Sequence, residues 1–357
     1  MTETIYEHLQ QRGLSRREFL KLSGLLIRAM GFNPASDLTG AIPPTDDDLT
    51  TLIMDAMQSR PRLPVIWLEL QDCAGCSEAL TRSNAPSLTS LILNDIALPY
   101  HELLCCAAGT QAERSLQAAL KNHYGQYVLV IEGSIPTADN GIYCVSGGHT
   151  AVDQLSTFSA GAKIILAMGT CASFGGIARA NPNPTGAKNV SELISGKTIV
   201  NIPGCPPVPD IIAGTIAHLA LFDSPPALDA MLRPITYYRQ TVHDRCPRRN
   251  NFKARKFAKS FDDEGAKKGY CLHELGCKGQ TTFNACASLK WDMGLSFPIQ
   301  SGHPCLGCAE PNFWDMNGVY YNVPKQFSGS HSGGGTGGNG NQNPGNNGNG
   351  NGNGRNP

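Results

Sequence analysis

Cysteine is the residue type best able to do chemistry in this chain of 357 residues, and its spacing is uneven. Thirteen cysteines are present, and six of them lie between Cys246 and Cys308. Two pairs have the spacing Cys-x2-Cys, namely Cys73 with Cys76 and Cys305 with Cys308. Short loops of this kind suit metal binding better than structural disulfides, because both thiolates can point at one centre. A secreted disulfide-bonded protein is a weaker alternative, since a chain this long can fold without cross-links and the cysteine total is odd.

Four short apolar runs predict the elements that position the first group of thiols. Each run is rich in Val, Ile and Leu and ends in a turn, which is typical of a buried parallel strand. The runs are Leu63–Leu70, Tyr127–Ile131, Lys163–Met168 and Thr198–Ile202. Longer mixed segments separate them and can hold crossover helices. We therefore predict an α/β fold, with a flavodoxin-like parallel-sheet domain over residues 62–234.

Three of these predicted strands are followed by cysteine. Cys73 and Cys76 come after the first strand, Cys171 after the third and Cys205 after the fourth. Ligands in open α/β sheets gather beyond the carboxyl ends of the strands, so four thiolates should converge at one edge, as a [4Fe–4S] cube requires. Zinc bound by four cysteines is an alternative, although such sites usually combine two local pairs. A bound flavin is disfavoured, because the thiols occupy its place and no phosphate-binding glycine loop is present.

Seven further candidate ligands lie in residues 235–325, where signals for strands and long helices are few. We predict a smaller, irregular domain there, whose stability depends on its metal centres. By spacing, one group offers an imidazole and three thiolates and the next offers three thiolates: His243, Cys246, Cys271 and Cys277, then Cys286, Cys305 and Cys308. Three thiolates match a [3Fe–4S] cluster, which lacks one corner iron. Spacing alone leaves other divisions of the seven ligands open, and a lone histidine is more often structural than a ligand.

Both ends of the chain differ in composition from the part between them. Residues 1–35 resemble a twin-arginine export signal, because Arg16 and Arg17 precede the weakly apolar stretch Leu22–Phe32; an ordinary amphipathic helix is the alternative. Residues 36–61 would be a linker, and residues 326–357, rich in Gly and Asn, a disordered tail. We expect no transmembrane anchor in this chain. Lys plus Arg (29) equal Asp plus Glu (29), which gives no indication of nucleic-acid binding.

The motifs around the cysteines resemble those of the small subunits of nickel–iron hydrogenases, from about Pro64 to Asp315. In the first domain they are Asp72-Cys73-Ala74-Gly75-Cys76-Ser77-Glu78, Asp139-Asn140-Gly141-Ile142-Tyr143, Gly169-Thr170-Cys171 and Ile202-Pro203-Gly204-Cys205-Pro206-Pro207. In the second they are His243-x2-Cys246-Pro247-Arg248, Gly269–Gly279 and Gly302–Cys308. No single motif is specific, but the set is.

The resemblance implies three iron–sulfur clusters in a row and assigns the ligands of each. The proximal [4Fe–4S] ligands would be Cys73, Cys76, Cys171 and Cys205. The medial [3Fe–4S] ligands would be Cys286, Cys305 and Cys308, with Pro298 where a fourth cysteine would otherwise stand. The distal [4Fe–4S] ligands would be His243, Cys246, Cys271 and Cys277. Three cysteines remain, and we interpret them as small buried residues: Cys105, Cys106 and Cys144.

The same resemblance implies the electron-transferring subunit of an oxidoreductase, a hydrogenase, with no catalytic residue of its own. The nickel–iron centre would lie in a large-subunit partner that splits hydrogen into protons and electrons. The electrons would leave from the distal cluster to a cytochrome or another iron–sulfur protein. The expected location is the periplasm, with any membrane association made through another subunit. Alternatives are an iron–sulfur carrier of another oxidoreductase complex, a zinc protein and a flavoprotein.

Two features depart from the family pattern around the first proximal thiol. Asp72 and Ala74 replace the usual Glu and Thr, which should alter hydrogen bonding or proton relay near the proximal cluster. Gly75 stands where oxygen-tolerant relatives with a six-cysteine proximal site carry cysteine. We therefore expect an ordinary proximal cube without that protection.

Overall fold

The computed structural model describes residues 60–84 and 86–315, together with six isolated positions before residue 60. The predicted export signal, the predicted linker and the predicted tail therefore lie almost wholly outside the described residues. Contacts between residues divide the chain into two units, Met1–Val323 and Pro324–Pro357. All the described residues belong to the first of these units.

A five-stranded parallel sheet forms the centre of the described chain. Its strands are Leu63–Glu69 (β1), Ile96–His101 (β2), Val128–Glu132 (β3), Ile164–Met168 (β4) and Ile199–Ile202 (β5). The strand order is β2-β1-β3-β4-β5, with every pairing parallel. This is the flavodoxin-like order, and the predicted α/β class is confirmed.

The four predicted strands are present, with ends that differ from the prediction by one residue at most. Strand β2, which was not predicted, lies at one edge of the sheet and is half-buried along its middle. Pro99 interrupts its apolar pattern, and proline in a strand is typical of edge positions. Only the tertiary arrangement shows that this segment pairs with β1.

Five helices cover the two faces of the sheet and carry part of the site. They are Gly75–Thr81 (α1), Thr110–Asn122 (α2), Ala151–Gly161 (α3), Gly169–Phe174 (α4) and Pro209–Phe222 (α5). Alternate residues of each strand point to opposite faces, so Val65 and Trp67 of β1 pack with α5, while Ile66 and Leu68 pack with α2 and α3. Helix α5 is apolar almost all round, because it is buried between the sheet and the region that follows it.

Short elements connect these larger ones. Two-stranded antiparallel sheets pair Ile135–Pro136 with Ala187–Lys188, and Val145–Ser146 with His149–Thr150. The remaining pieces are short helices and turns: Leu88–Ser90, the π-helical turn Leu91–Asp95, Ala138–Gly141, Ile177–Arg179 and Val190–Leu193.

The region after Pro234 is built from short helical turns and irregular loops, as expected from its few regular patterns. Its elements are Ile235–Tyr238, Val242–Arg245, Arg249–Lys253, Glu264–Lys267, His273–Leu275 and Cys286–Leu289. Apolar residues of this region belong to the same buried cluster as α5. Arg233, only 4% exposed, ties the two parts together through ion pairs with Asp229 (2.8 Å) and Glu310 (3.1 Å). The boundary between residues 234 and 235 stays a prediction. None of the described helices is both long and apolar enough to cross a bilayer.

Candidate metal centres

The first four candidate ligands lie together at the carboxyl edge of the sheet. Cys73 follows β1 and Cys76 lies in α1, while Cys171 lies in α4 and Cys205 follows β5. Burial raises the pKa of the Cys76 thiol well above its ordinary value, and charge on Glu132 and the other three thiols raises it further. Burial also raises the pKa of Cys171 to about 11 and that of Cys205 to about 12, with neighbouring thiols adding to both shifts. Four thiolates in one place repel each other, so this site is suited to bound iron that compensates their charge.

Gly169 allows the backbone to approach this site closely. It begins α4 with φ +77°, and a Cβ at this position would lie 2.5 Å from Cys76 Sγ. Only glycine combines this left-handed conformation with so short an approach. The next residue, Thr170, accepts a hydrogen bond from the Gly204 N–H at 2.9 Å and donates one to the Cys308 carbonyl. The sheet edge is thereby joined to the second region.

Glu132 is a buried carboxylate at the end of β3 that supports Cys76. It accepts hydrogen bonds from the Cys76 N–H at 2.8 Å, the Ser77 N–H at 3.1 Å, the Ser77 hydroxyl at 2.6 Å and Trp67 Nε1 at 3.1 Å. Helix α1 has no side-chain cap at Ala74, so this carboxylate satisfies the first amides of the helix. This role of Glu132 was not predicted from the sequence. The only signal for it was an acidic residue at the end of an otherwise apolar strand.

A buried polar network extends from Glu132 away from the thiols. The Ser77 hydroxyl lies 2.9 Å from Glu69 Oε1 and 3.3 Å from His101 Nε2, and His101 Nδ1 lies 3.6 Å from Glu69. Burial raises the pKa of Glu69 to about 7 and lowers the pKa of His101 to about 4. Burial therefore favours the uncharged forms of both the imidazole and the Glu69 carboxyl.

The next three thiols surround a cavity of about 490 Å³ beside the first site. Cys286, Cys305 and Cys308 line it together with Cys205 and Pro298. Burial raises the pKa of the Cys286 and Cys305 thiols, and the neighbouring thiols raise it further. Three buried thiols around one mostly apolar cavity are a suitable donor set for a cluster held by thiolates.

Three more cysteines of the second region form a third set: Cys246, Cys271 and Cys277. Burial raises the pKa of Cys246, Cys271 and Cys277, and all three thiols also lie within electrostatic reach of Arg248, which acts in the opposite direction. The Arg248 N–H donates to Cys246 Sγ at 3.4 Å. His243 lies one turn before Cys246, in the 3-10 helix Val242–Arg245.

The imidazole of His243 packs against an aromatic side chain. It packs edge-on against Phe252, with ring centroids 4.7 Å apart, and Phe252 also contacts His273 and Phe257. Burial and the nearby Arg249 lower the pKa of His243. The assignment of His243 as a ligand stays a prediction.

Direct contacts connect the three thiol sets in order. Cys205 of the first set and Cys308 of the second line the same cavity, and the Thr170 hydroxyl, next to Cys171, donates to the Cys308 carbonyl. The N–H of Cys305, in the second set, donates to Cys277 Sγ of the third set at 3.4 Å. The second set therefore lies between the other two and touches both.

Three cysteines lie outside these sets, and one of them corrects an expectation. Cys106 is exposed, so its interpretation as a small buried residue was wrong, while Cys105 and Cys144 are half-buried. They follow β2 and the Asp139–Tyr143 motif, where the chain runs over the surface at the sheet edge. In the described part of the chain, no group of three or more His, Cys, Asp or Glu side chains is arranged to hold a single metal ion.

Comparisons with known proteins identify relatives of both parts of the chain. Residues 238–321 match the family model for the C-terminal part of NiFe/NiFeSe hydrogenase small subunits, and residues 73–219 match the family of the 20 Kd subunit of NADH ubiquinone oxidoreductase. The Hydrogenase-1 small chain of Citrobacter freundii is 42% identical over 321 residues, covering 90% of this chain and 82% of that one. The uptake hydrogenase small subunit of Afipia carboxidovorans is 43% identical, covering 89% of this chain and 83% of the relative.

Solved structures show the same relationship. The [NiFeSe]-hydrogenase of Desulfomicrobium baculatum matches with a TM-score of 0.68 and 32% identity, covering 73% of this chain and 99% of the matched chain. The recombinant [NiFeSe] hydrogenase of Desulfovibrio vulgaris Hildenborough matches with a TM-score of 0.67 and 34% identity, covering 74% and 98%. The described fold, the three thiol sets and these matches together show that the chain belongs to the family of nickel–iron hydrogenase small subunits.

Proposed function

We propose that this chain carries electrons from a hydrogen-splitting partner through three iron–sulfur clusters to an acceptor. The observation that carries the proposal is the order of the thiol sets. Cys308 of the middle set shares a cavity with Cys205 of the first and accepts at its carbonyl from Thr170, beside Cys171. Cys305 of the middle set donates its N–H to Cys277 Sγ of the third. A continuous series of thiol sites is the arrangement that stepwise electron transfer requires.

Each thiol set is assigned to one cluster. Cys73, Cys76, Cys171 and Cys205 would hold the proximal [4Fe–4S] cluster, Cys286, Cys305 and Cys308 the medial [3Fe–4S] cluster, and Cys246, Cys271 and Cys277, with His243, the distal [4Fe–4S] cluster. Bound iron–sulfur clusters supply one-electron redox centres whose potentials depend on charge, hydrogen bonds and exposure. Glu132 fixes the Cys76 amide and Arg248 places positive charge beside the distal thiols, so this chain's own residues tune both ends.

The partner is a hydrogenase large subunit, which holds the nickel–iron centre and converts hydrogen into two protons and two electrons. The surface at the carboxyl edge of the sheet is suited to this partner. It exposes large apolar residues from three loops near the exposed Cys73 and Cys205: Leu103, Leu104, Ile142, Tyr143 and Ile177. Exposed apolar groups clustered at a functional edge mark an interaction surface.

Electron paramagnetic resonance of the purified complex tests the cluster assignment. The oxidised complex should give one sharp signal from the [3Fe–4S] cluster, and further signals should grow when hydrogen is added. The sharp signal without a hydrogen response would support the clusters but argue against a bound catalytic partner. Zinc without acid-labile sulfide in metal analysis would contradict the proposal.

A second candidate function is an iron–sulfur carrier in another oxidoreductase complex. The match of residues 73–219 to the NADH ubiquinone oxidoreductase family favours it for the first domain. Seven ligands in the second region and the match over 238–321 favour the hydrogenase. Hydrogen-dependent dye reduction by the co-purified complex separates the two candidates, because only a hydrogenase complex would show it.

We further propose export of the folded, cluster-loaded protein to the periplasm, with the acceptor either at the membrane or soluble. The support is Arg16-Arg17 ahead of a short apolar stretch, together with the need to insert clusters before export. A variant with Arg16→Lys and Arg17→Lys should remain in the cytoplasm with its clusters assembled. Normal periplasmic location of that variant would contradict the export proposal.

A further inference from the structure

Positive charge is concentrated around the distal thiols, although the whole chain is neutral. Between Arg239 and Lys278 the sequence has eleven Lys or Arg and five Asp or Glu, against 29 of each in the full chain. Most of these cations are exposed: Arg245, Arg249, Lys253, Arg255, Lys256, Lys259, Lys267 and Lys268. An excess of one charge in one segment of a balanced chain creates a local field that favours partners of the opposite sign.

The contacts of these cations place several of them beside the distal site. The Arg248 guanidinium donates to the Tyr270 carbonyl at 2.8 Å, next to Cys271, and the Arg249 guanidinium donates to the Asp244 carbonyl at 3.2 Å, next to His243. Lys253 follows Phe252, whose ring packs against His243. The Lys256 ammonium lies 5.9 Å from the centre of the Tyr270 ring, next to Cys271.

The acidic residues of the same segment are mostly engaged in local contacts. Asp244 pairs with Arg249 at 3.8 Å and accepts from Thr241, and Asp263 caps the helix Glu264–Lys267. Glu264 pairs with Lys267 at 3.2 Å. They reduce the positive field only in part, because the cations outnumber them.

We propose that this basic surface, formed by the exposed cations from Arg245 to Lys268, binds an acidic redox protein that accepts electrons from the distal site. The inference rests on the proposed function, and it defines the chemistry of the acceptor. Each hydrogen molecule oxidised in the partner releases two electrons, which would reduce two ferric haem groups of an acidic cytochrome to the ferrous state. The two protons remain with the partner or the solvent.

A redox protein fits this surface better than an anionic membrane does. Arg249, Lys253 and Lys256 lie beside residues of the distal site, so an anionic partner is attracted to the point where electrons leave. Close approach of the two redox centres is needed for electron transfer but not for membrane adsorption. Complementary charge mainly increases the rate of encounter and fixes orientation, which is what a transient electron-transfer complex requires.

The test measures binding of the purified two-subunit hydrogenase to a soluble acidic b-type cytochrome and to a basic c-type cytochrome of similar size. The charge-reversal variant is Lys253→Glu with Lys256→Glu. The matched control is Arg114→Glu with Lys121→Glu, which makes the same change in net charge on exposed positions of α2. That helix packs on the opposite face of the sheet from the second region. Absorption spectra and hydrogen-dependent reduction of a small dye are recorded for every variant.

The wild-type complex should bind the acidic cytochrome at low ionic strength, and binding should weaken markedly at about 0.15 M salt. The Lys253/Lys256 variant should lose about tenfold or more in affinity, while the α2 variant and all dye activities stay unchanged. The proposal would be overturned by equal binding of the acidic cytochrome to both variants or by stronger binding of the basic cytochrome. Binding of the complex only to phosphatidylglycerol vesicles would also overturn it. Absent dye reduction in the wild type would instead contradict the proposed function.

Discussion

Replacing Gly169 by alanine is expected to remove the proximal cluster while leaving the fold in place. A Cβ at this position would lie 2.5 Å from Cys76 Sγ, whereas ordinary contacts to a Cβ are 3.4–4 Å. The sulfur and the backbone must therefore separate by about 1 Å, although metal-site distances hold to within about 0.2 Å. The backbone of Cys76 cannot easily move aside, because Glu132 accepts its N–H at 2.8 Å, so the crowding is relieved only if Sγ rotates away from the site.

A matched control separates this crowding from backbone strain. Gly169 has φ +77° and the exposed Gly125 has φ +79°, but nothing lies within 4 Å of a Cβ at Gly125. Alanine in the left-handed region costs roughly 1–2 kcal/mol at either position. Both variants should lose about this much unfolding free energy, and only Gly169→Ala should also lose cluster.

Iron and acid-labile sulfide, measured per chain in the purified complex, test the expectation. Gly169→Ala should lack about four iron atoms, the content of one cube, and Gly125→Ala should keep its full content. Urea unfolding of both variants measures the shared strain. Full iron with an unchanged spectrum in Gly169→Ala would refute the reasoning, and equal iron loss in Gly125→Ala would assign the effect to strain.

Three further predictions follow from the described contacts. Arg233→Met should lower the unfolding free energy by about 3–5 kcal/mol, because it leaves the partly buried Asp229 and Glu310 without their shared cation. Arg82→Met should cost much less, because its ion pairs are exposed to solvent, and similar urea midpoints for the two variants would contradict the buried pairing. Asp95 is fully buried with a pKa raised to about 7 by burial, so the folded state binds a proton that the unfolded state has lost above about pH 4. The unfolding free energy should therefore fall as pH rises from about 4 to about 7. Asp95→Asn should remove that decline and be more stable than the wild type at pH 8 by up to roughly 4 kcal/mol. Denaturant titrations over this pH range test the expectation, and parallel pH profiles of the two proteins would contradict it. Cys171→Ala should bleach one cluster and abolish hydrogen-dependent dye reduction. Cys106→Ala, outside the three thiol sets, should change neither the cluster spectrum nor the dye reduction. Normal activity of Cys171→Ala would rule out the assignment of Cys171 as a ligand.

The central strands could be predicted closely because their residues are buried on both faces. Continuous runs of Val, Ile and Leu, such as the one in β3, have few alternatives in a folded chain. The edge strand β2 could not be predicted, because its half-exposed residues and Pro99 remove that pattern. Its pairing with β1 is determined by the rest of the sheet.

The positions of the first four thiols also followed from the sequence, since the carboxyl ends of parallel strands meet at one edge. The support for those thiols did not. Glu132 is separated from Cys76 by 56 positions, and only the pairing of β1 with β3 brings its carboxylate to the start of α1. The exposure of Cys106 was likewise invisible in its local sequence.

By itself, the sequence determined the chemistry and the fold class of this protein. Residue type establishes which atoms can bind iron, and local hydrophobic pattern establishes which segments become buried strands, because both depend on near neighbours in the chain. Tertiary structure decided which thiols of the irregular second region lie together and in what order the three sets touch. Those contacts, such as the Cys305 N–H to Cys277 Sγ, join residues whose spacing carries no periodic signal, so only the folded chain brings them into contact.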